Sequence, residues 1–195
     1  MKILIACESS GTVREAFRKL GHDAWSNDIL PSDDDSPYHI EGDCVDAIKS
    51  RKWDMIGMHL PCTALAVSGN AHYGKGMPKN HIRLKSIEWT MYVWNLATSV
   101  CDRVYLENPV GVLPMKATQY IQPWMFGHPE SKKTGLWLHG LPKLEESSNV
   151  KELFDTLPKS EQQRIHFLPP SKNRWKIRSK TFQGIADAMS KQWSI

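Results

Sequence analysis

A short, almost wholly apolar segment near the start of the chain constrains the fold more than any other feature. Residues 2–6 read Lys-Ile-Leu-Ile-Ala, a β-branched run without polar alternation. Such a run predicts a strand buried on both faces, because a strand with one face in water alternates apolar and polar residues. Strands of this kind occur almost only in parallel sheets that helices cover on both sides. The segment therefore favours an α/β fold.

An amphipathic helix is predicted directly after this strand. Thr12 and Glu15 have the spacing of a capping box, and Gly21 is placed to end the helix. The apolar stripe of the helix consists of Val13, Ala16, Phe17 and Leu20. A buried strand followed at once by such a helix is the first half of a βαβ unit.

The same alternation continues along the chain. Further strands are predicted at residues 24–28, 54–59, 103–106 and 135–139. Helices are predicted at residues 45–50, about 82–100 and 184–193, with weaker helical character at 150–167. The chain has 195 residues and no internal repeat or interdomain linker. We therefore expect a single α/β domain, 1–195, with a mostly parallel sheet flanked by helices.

Composition excludes several classes of protein. Hydrophobic residues make up 41% of the chain and charged residues 24%, which argues against disorder. No apolar run approaches the ~20 residues of a membrane span, and the first residues lack the basic leader of a secretory signal. We therefore expect no membrane association. The cysteines form no C-x-x-C pair, so we also expect free thiols and a cytoplasmic location. These cysteines are Cys7, Cys44, Cys62 and Cys101.

Positive charge is concentrated in the last third of the chain. Residues 1–130 carry 13 Lys and Arg against 15 Asp and Glu, a net −2, whereas residues 131–195 carry 12 against 6, a net +6. Every second residue of 172–180 is a cation, which predicts a strand with one cationic face. Such a face is suited to nucleic-acid phosphates or to an edge strand that repels other strands. The cations are Lys172, Arg174, Lys176, Arg178 and Lys180.

Polar residues follow four of the predicted strands, at the edge of a parallel sheet where ligands bind. The strand ends read C-E-S-S-G, S-N-D, H-L-P-C-T and L-E-N-P. They place Glu8, Asp28, Cys62 and Glu107 at one edge, beside Gly11 at the start of a helix. A thiol, three carboxylates and a turn suited to a cofactor are thus expected in one place.

Each of these residues has a functional and a structural interpretation. Asp28 is placed either to bind the ribose of an adenosine-containing ligand or to cap a turn. Cys62 is either a nucleophile, if a helix N-terminus or a cation lowers its pKa, or an inert apolar residue. Glu107 is either a second catalytic group or a residue that holds the turn at Pro109.

Two further groups of residues are assigned by default to ordinary roles. Four residues fall near one loop with a spacing that matches no zinc pattern, so we expect no metal site. They are His59, Cys62, His72 and His81. We expect His59, the first of the four, to line the pocket. Four tryptophans are expected in the core, with base stacking as the alternative. They are Trp124, Trp137, Trp175 and Trp193.

The ordered set of strand ends resembles the DNA cytosine carbon-5 methyltransferases, which use S-adenosylmethionine. The family's first motif, F-x-G-x-G-G, is similar to residues 7–17, which read C-E-S-S-G-T-V-R-E-A-F. Its acidic ribose-binding residue corresponds to Asp28 and its G-D pair to residues 42–43. Its P-C-Q motif is similar to residues 61–63 and its E-N-V motif to residues 107–109.

Two later segments extend the resemblance over nearly the whole chain. The family's G-x-P-Q-x-R-x-R strand is similar to residues 127–134, and its closing G-N-A helix is similar to residues 183–189. Each motif is short, but their common order is specific. The shortened chain resembles small phage-encoded members of this family.

The resemblance implies a Rossmann-like methyltransferase fold and a set of site residues. The implied cofactor site for S-adenosylmethionine consists of Cys7, Glu8, Ser9, Ser10, Gly11, Asp28, Ile29, Asp43 and Cys44. Cys62 would attack carbon 6 of cytosine and Glu107 would protonate ring nitrogen 3, with supporting roles for Pro61, Asn108 and Lys132. Carbon 5 becomes nucleophilic only after such an addition, which agrees with the need for a thiol and an acid together.

The chain departs from the family in ways that bear on its substrate. Its first motif has a single glycine, and Lys132 and Thr134 stand where the family has paired arginines. A small basic insertion at about 139–172 takes the place of a separate target-recognition domain. We therefore expect either DNA, read with little sequence preference, or a free pyrimidine nucleotide as the substrate, with the cations of 172–180 on a DNA backbone. The alternative is a non-catalytic nucleic-acid-binding protein with a degenerate methyltransferase fold; the oligomeric state stays open.

Overall fold

The computed structural model describes residues 1–194 and contains one seven-stranded sheet. The strands are β1 (Lys2–Ala6), β2 (Asp23–Asp28), β3 (His39–Glu41), β4 (Met55–Met58), β5 (Val104–Pro109), β6 (Gln119–Ile121) and β7 (Thr134–His139). The helices are α1 (Thr12–Arg18), α2 (Cys44–Lys49), α3 (Asn70–Tyr73), α4 (Asn80–Val100), α5 (Lys151–Thr156), α6 (Lys159–Gln162), α7 (Arg174–Ser179) and α8 (Gln183–Trp193).

The sheet has the order β3-β2-β1-β4-β5-β7-β6. The first five strands of that order run parallel, and β7 is antiparallel to both of its neighbours. This arrangement confirms the predicted α/β class with a mostly parallel sheet. The strand order reverses between β1 and β4, so the carboxyl ends of these two strands flank the crevice where α/β sheets bind ligands.

Helices bury both faces of the sheet. One core contains Phe17 of α1 and Met189 and Trp193 of α8, packed on Ile3 and Tyr105 of the sheet. The core on the opposite face is built from α2 and α4, and includes Ile48, Val93, Ala97, Ile56 and Leu106. Covering both faces explains why β1 and β4 are apolar without alternation: all four residues of β4 are buried.

The predicted capping box at the start of α1 is wrong. The carboxylate of Glu8 accepts hydrogen bonds from the backbone N–H groups of Val13 at 2.7 Å and Arg14 at 3.2 Å. It therefore takes the unpaired helix N–H groups that the side chain of Thr12 was expected to bind. Glu15 accepts instead from the Arg14 side chain at 3.0 Å.

The predicted apolar stripe of α1 is shorter than expected. Val13, Ala16 and Phe17 are buried, but α1 ends at Arg18 and Leu20 is 46% exposed. Gly21 follows with a φ of 82°, a left-handed conformation that favours glycine after a helix.

The cationic strand predicted at 172–180 is also wrong, because residues 174–179 form α7. Successive alternate residues point about 200° apart on a helix, so the cations do not share one face. The Nζ of Lys132 donates to the carbonyls of Ser179 and Lys180, at 3.3 Å each. A cation on the last carbonyls stabilises the helical conformation.

The segment between β7 and α7 differs from its description as a basic insertion. Residues 139–172 contain five cations and five acids, so they are neutral, and the positive charge lies after them. Their predicted helical character is confirmed as two short helices, α5 and α6, which Pro158 separates. In residues 1–194, no helix combines the length and the apolar character that crossing a membrane requires.

Candidate active site

The turn after β1 forms one side of the crevice. Cys7 and Gly11 have left-handed backbone conformations, with φ of 59° and 65°. Glu8 is 4% exposed and points under the turn, where it binds the start of α1. Burial raises the pKa of Glu8 to about 7, against the lowering effect of its backbone N–H donors and of Arg14. The geometry gives this predicted cofactor residue a structural task.

A fully buried arginine supports the turn from below. The Arg14 guanidinium donates to the hydroxyl of Ser26 at 2.8 Å and to the carboxylate of Asp34. A Cβ added to Gly11 would overlap this guanidinium, so the turn tolerates only glycine there. The backbone carbonyl of Ser9 accepts a hydrogen bond from the backbone N–H of Asp33 at 2.9 Å. Arg14 and Ser9 thus tie the loop after β2 to the loop after β1.

The two predicted adenosine-binding acids follow adjacent strands. The Asp28 carboxylate accepts from the N–H of Leu30 at 3.1 Å, and the Asp43 carboxylate accepts from the N–H of Val45 at 2.7 Å. Among residues 1–194, the second oxygen of each carboxylate receives no hydrogen bond. Ile29, beside Asp28, is 75% exposed and presents an apolar surface.

Two cysteines lie close to these acids. The neighbouring thiol of Cys44, burial and the carboxylates of Asp28 and Asp43 raise the pKa of Cys7 above its ordinary value. Five of the nine predicted cofactor residues therefore surround one part of the crevice: Cys7, Cys44, Asp28, Ile29 and Asp43. Ser10 bonds locally to Thr12 at 3.2 Å.

Cys62 lies in a turn after β4, on the other side of the crevice. Its carbonyl accepts from the N–H groups of Leu65 and Ala66, at 2.9 Å each. The Asn108 amide donates to the carbonyl of Leu60 at 3.2 Å and thereby ties the segment before Cys62 to β5. Pro61, next to the thiol, is exposed.

Glu107 shares its surroundings with a buried imidazole. Glu107 Oε2 lies 4.0 Å from His59 Nδ1, and the two side chains are 16% and 9% exposed. His59 Nε2 is 2.9 Å from the Tyr105 hydroxyl, and its Nδ1 is 3.4 Å from Thr181 Oγ1. Burial lowers the pKa of His59, which keeps the imidazole neutral near pH 7.

The thiol of Cys62 is within electrostatic reach of three charged residues. Burial and the carboxylate of Glu107 raise the pKa of Cys62, while Lys132 and Arg178 lower it; the net shift is upward. Cys62 follows β4 and Glu107 lies in the neighbouring strand β5. Lys132 is the cation that also holds the carbonyls at the end of α7.

The predicted nucleic-acid-binding cations lie on and around α7 but do not act alike. Lys172, Arg178 and Lys180 are exposed. Lys176 Nζ binds Asp33 Oδ1 at 2.8 Å, and Arg174 donates to the carbonyl of His166 at 3.1 Å. Three of the five are thus available for phosphates, on more than one side of the helix.

Comparison with known proteins adds one finding about the fold. No family model matches the chain, and no curated protein matches it. A solved structure, that of the Entamoeba histolytica methyltransferase EhMeth, is similar with a TM-score of 0.50 and 11% identity. The similarity covers 75% of this chain and 57% of the EhMeth chain. The chain has a methyltransferase-like fold.

The acidic residues at the crevice suit a ligand that carries hydroxyl and amino donors. Carboxylates such as those of Asp28 and Asp43 accept hydrogen bonds from ribose hydroxyls and an adenine amino group, and Ile29 offers an apolar surface to a flat ring. The start of α1 is already bound by Glu8, so it does not serve as an anion site.

Described residues contain no group of three His, Cys, Asp or Glu side chains arranged to hold a metal ion. His59 instead lies beside Glu107 and Tyr105. His72 and His81 lie on α3 and α4, away from that contact.

Sequence reasoning missed three residues that organise the site: Arg14, Tyr105 and Thr181. Tyr105 had a usable signal, because it lies two residues before Glu107 in a strand and so shares its face. Arg14 had none, since a cation in an amphipathic helix is normally exposed. The predicted core position of Trp175 is wrong, because this side chain is 52% exposed.

Proposed function

We propose that the protein transfers a methyl group from S-adenosylmethionine to carbon 5 of cytosine, or of a related pyrimidine, in nucleic acid or in a free nucleotide. The observation that supports this proposal most is the placement of Cys62 and Glu107 on adjacent strand ends, close enough for the carboxylate to raise the pKa of the thiol.

In the proposed reaction, Cys62 and Glu107 act together on one ring. The Cys62 thiolate forms a bond to carbon 6, and the electrons of the 5,6 double bond shift through the ring to nitrogen 3, which takes a proton from Glu107. Carbon 5 is then an enamine carbon. When bound, S-adenosylmethionine supplies a methyl group on a sulfonium. Loss of the carbon-5 proton to water, return of the nitrogen proton to Glu107 and departure of Cys62 restore the ring.

The other residues position these two groups. His59 lies against Glu107 and is held by Tyr105 and Thr181, which limits the orientations open to the carboxylate. Lys132 and Arg178 offset part of the rise in the Cys62 pKa that burial and Glu107 cause. Asn108 keeps the Cys62 segment against β5.

Incubation with radiolabelled S-adenosylmethionine and either DNA or dCMP tests the proposal. We expect label transfer with the natural chain and a loss of at least 10³-fold with Cys62→Ala, because no other group replaces the nucleophile. Cys101→Ala is the matched control: Cys101 is also a free, buried cysteine, but it lies at the end of α4. Transfer that survives Cys62→Ala, or transfer to neither substrate, would contradict the proposal.

A specific observation favours a second candidate, a non-catalytic nucleic-acid-binding protein. Glu8 fills the turn that a glycine-rich motif leaves open to a cofactor. If calorimetry detects no binding of S-adenosylmethionine by the folded protein, this second candidate replaces the first.

A further inference from the structure

A groove separates the loop after β2 from α7, and the proposed reaction does not use it. It is open to solvent, has a volume of about 600 Å³ and is lined by Leu30, Pro31, Ser32, Asp33, Trp175 and Lys176. Trp175 is 52% exposed, and none of the six residues of α7 is buried. The indole of Trp175 is therefore free of the core and accessible to a flat ring at the groove.

The charges around this groove favour an anionic ligand. Residues 172–180 contain five cations and no acid. The acid on the opposite wall, Asp33, already pairs with Lys176. Arg178 and Lys180 are exposed and form no ion pair within residues 1–194.

α7 connects the groove to the candidate active site. Trp175 and Lys176 lie at the groove, whereas Arg178 is close enough to Cys62 for its charge to lower the pKa of the thiol. Lys132 holds the carbonyls at the end of α7, and Thr181 contacts His59. Trp175 and Arg178 are about 4.5 Å apart along the helix axis. The start of α7 therefore lies at the groove, and the segment that follows its end contacts the candidate active site.

We propose that this groove binds the nucleotide next to the target base in a single-stranded nucleic acid, with its base stacked on Trp175 and its phosphates on Arg178 and Lys180. The proposal rests on the proposed function for the identity of the target base. Single strands expose the flat faces of their bases to aromatic side chains, whereas a duplex buries those faces between neighbouring pairs. An exposed indole beside cations is the arrangement that such strands require.

Equilibrium binding of a fluorescein-labelled deoxycytidine octamer tests the proposal. The protein carries Cys62→Ala and no cofactor is added, so that binding is measured without reaction. We expect Trp175→Ala to weaken octamer binding by about ten- to hundredfold, the range for one lost base stack, and Trp175→Phe to restore part of it. Binding of dCMP should not change.

Matched controls lie on the opposite face of the sheet. Tyr92 is an aromatic of α4 that is 50% exposed, and Lys85 is an exposed cation of the same helix. Tyr92→Ala should leave octamer binding unchanged. Arg178→Gln should reduce the slope of log affinity against log salt by about 0.7, the value for one phosphate contact in a single strand, and Lys85→Gln should not.

Three outcomes would overturn the inference: equal octamer affinity with and without Trp175, equal loss with Tyr92→Ala, or preference for a duplex of the same sequence. Because no methyl transfer is measured, failure of the proposed reaction has a different signature. Octamer binding that depends on Trp175, without methyl transfer, would support the groove proposal and contradict the proposed reaction. Methylation of dCMP, with octamer binding that does not depend on Trp175, would support the reaction and contradict the groove proposal.

Discussion

The His59 imidazole shows how single polar atoms organise the candidate active site. It is buried, neutral near pH 7, and bonded to the hydroxyl of Tyr105 at 2.9 Å. Burial raises the pKa of Tyr105 well above its ordinary value, so this hydroxyl keeps its proton. Two uncharged groups thus bond to each other beside Glu107.

Removal of the Tyr105 hydroxyl is predicted to cost stability. In Tyr105→Phe, a buried imidazole nitrogen loses its partner, and we expect the free energy of unfolding to fall by about 1–3 kcal/mol in urea denaturation. Tyr120→Phe is the control, because Tyr120 is 43% exposed and water can replace its protein contacts. An unchanged stability of Tyr105→Phe would mean that His59 does not depend on this bond.

At the scale of elements, α1 is capped from an unusual direction. The acid that binds its first N–H groups, Glu8, comes from the end of β1 rather than from the helix itself. This contact fixes the strand-to-helix turn at the centre of the crevice. It also buries an ionisable group, so the stability of α1 depends on pH.

The Glu8 pKa predicts the direction of that dependence. Its value in the folded protein, about 7, exceeds the ordinary value of 4.5, so the folded state binds more protons between these two values. The contribution is therefore complete below about pH 4.5 and lost as pH rises through 7, by up to about 3 kcal/mol. In urea denaturation at pH 5, 6, 7 and 8, the free energy of unfolding of the unsubstituted protein should fall with rising pH relative to that of the Glu8→Gln variant. A constant difference between the two proteins would contradict this pKa.

At the scale of the whole molecule, the centre of the sheet determines where the two halves of the crevice meet. Gly57 of β4 lies against the ring of Tyr105 in the neighbouring strand β5, and a Cβ at Gly57 would overlap that ring. The missing side chain lets Tyr105 lie flat across β4 and reach His59. Packing at the middle of the sheet is thus coupled to the site at its edge.

Gly57→Ala is predicted to destabilise the whole fold. Neither central strand can move away, because both are buried on their two faces, and we expect a loss of about 3 kcal/mol or more in thermal or urea unfolding. Gly76→Ala is the control: a Cβ there meets nothing within 4 Å, and its φ of 82° limits the cost to about 1 kcal/mol. Equal losses of stability in the two variants would show that close packing between Gly57 and the Tyr105 ring does not limit the fold.

Local sequence patterns were sufficient for most of the long or strongly apolar elements. The strands at 2–6, 24–28 and 54–59 and the helix from about residue 82 to 100 were predicted within a few residues, because burial on both faces leaves an unbroken apolar signature. The three-residue strands β3 and β6 were missed. Pairing with β2 and β7 stabilises these strands, and a three-residue segment is too short to show a pattern that predicts such pairing.

The amino-acid sequence by itself determined which chemical groups end the parallel strands, because the order of elements along the chain dictates the edge of the sheet at which those ends lie. That is why Glu8, Asp28, Cys62 and Glu107 could be assigned to one edge of the sheet in advance. Tertiary structure alone decided how the groups are used: Glu8 caps α1, Arg14 is buried, and residues 174–179 form a helix rather than a strand. Each of these outcomes depends on a partner distant in sequence, such as Lys132 on the carbonyls of α7, and local periodicity carries no information about such partners.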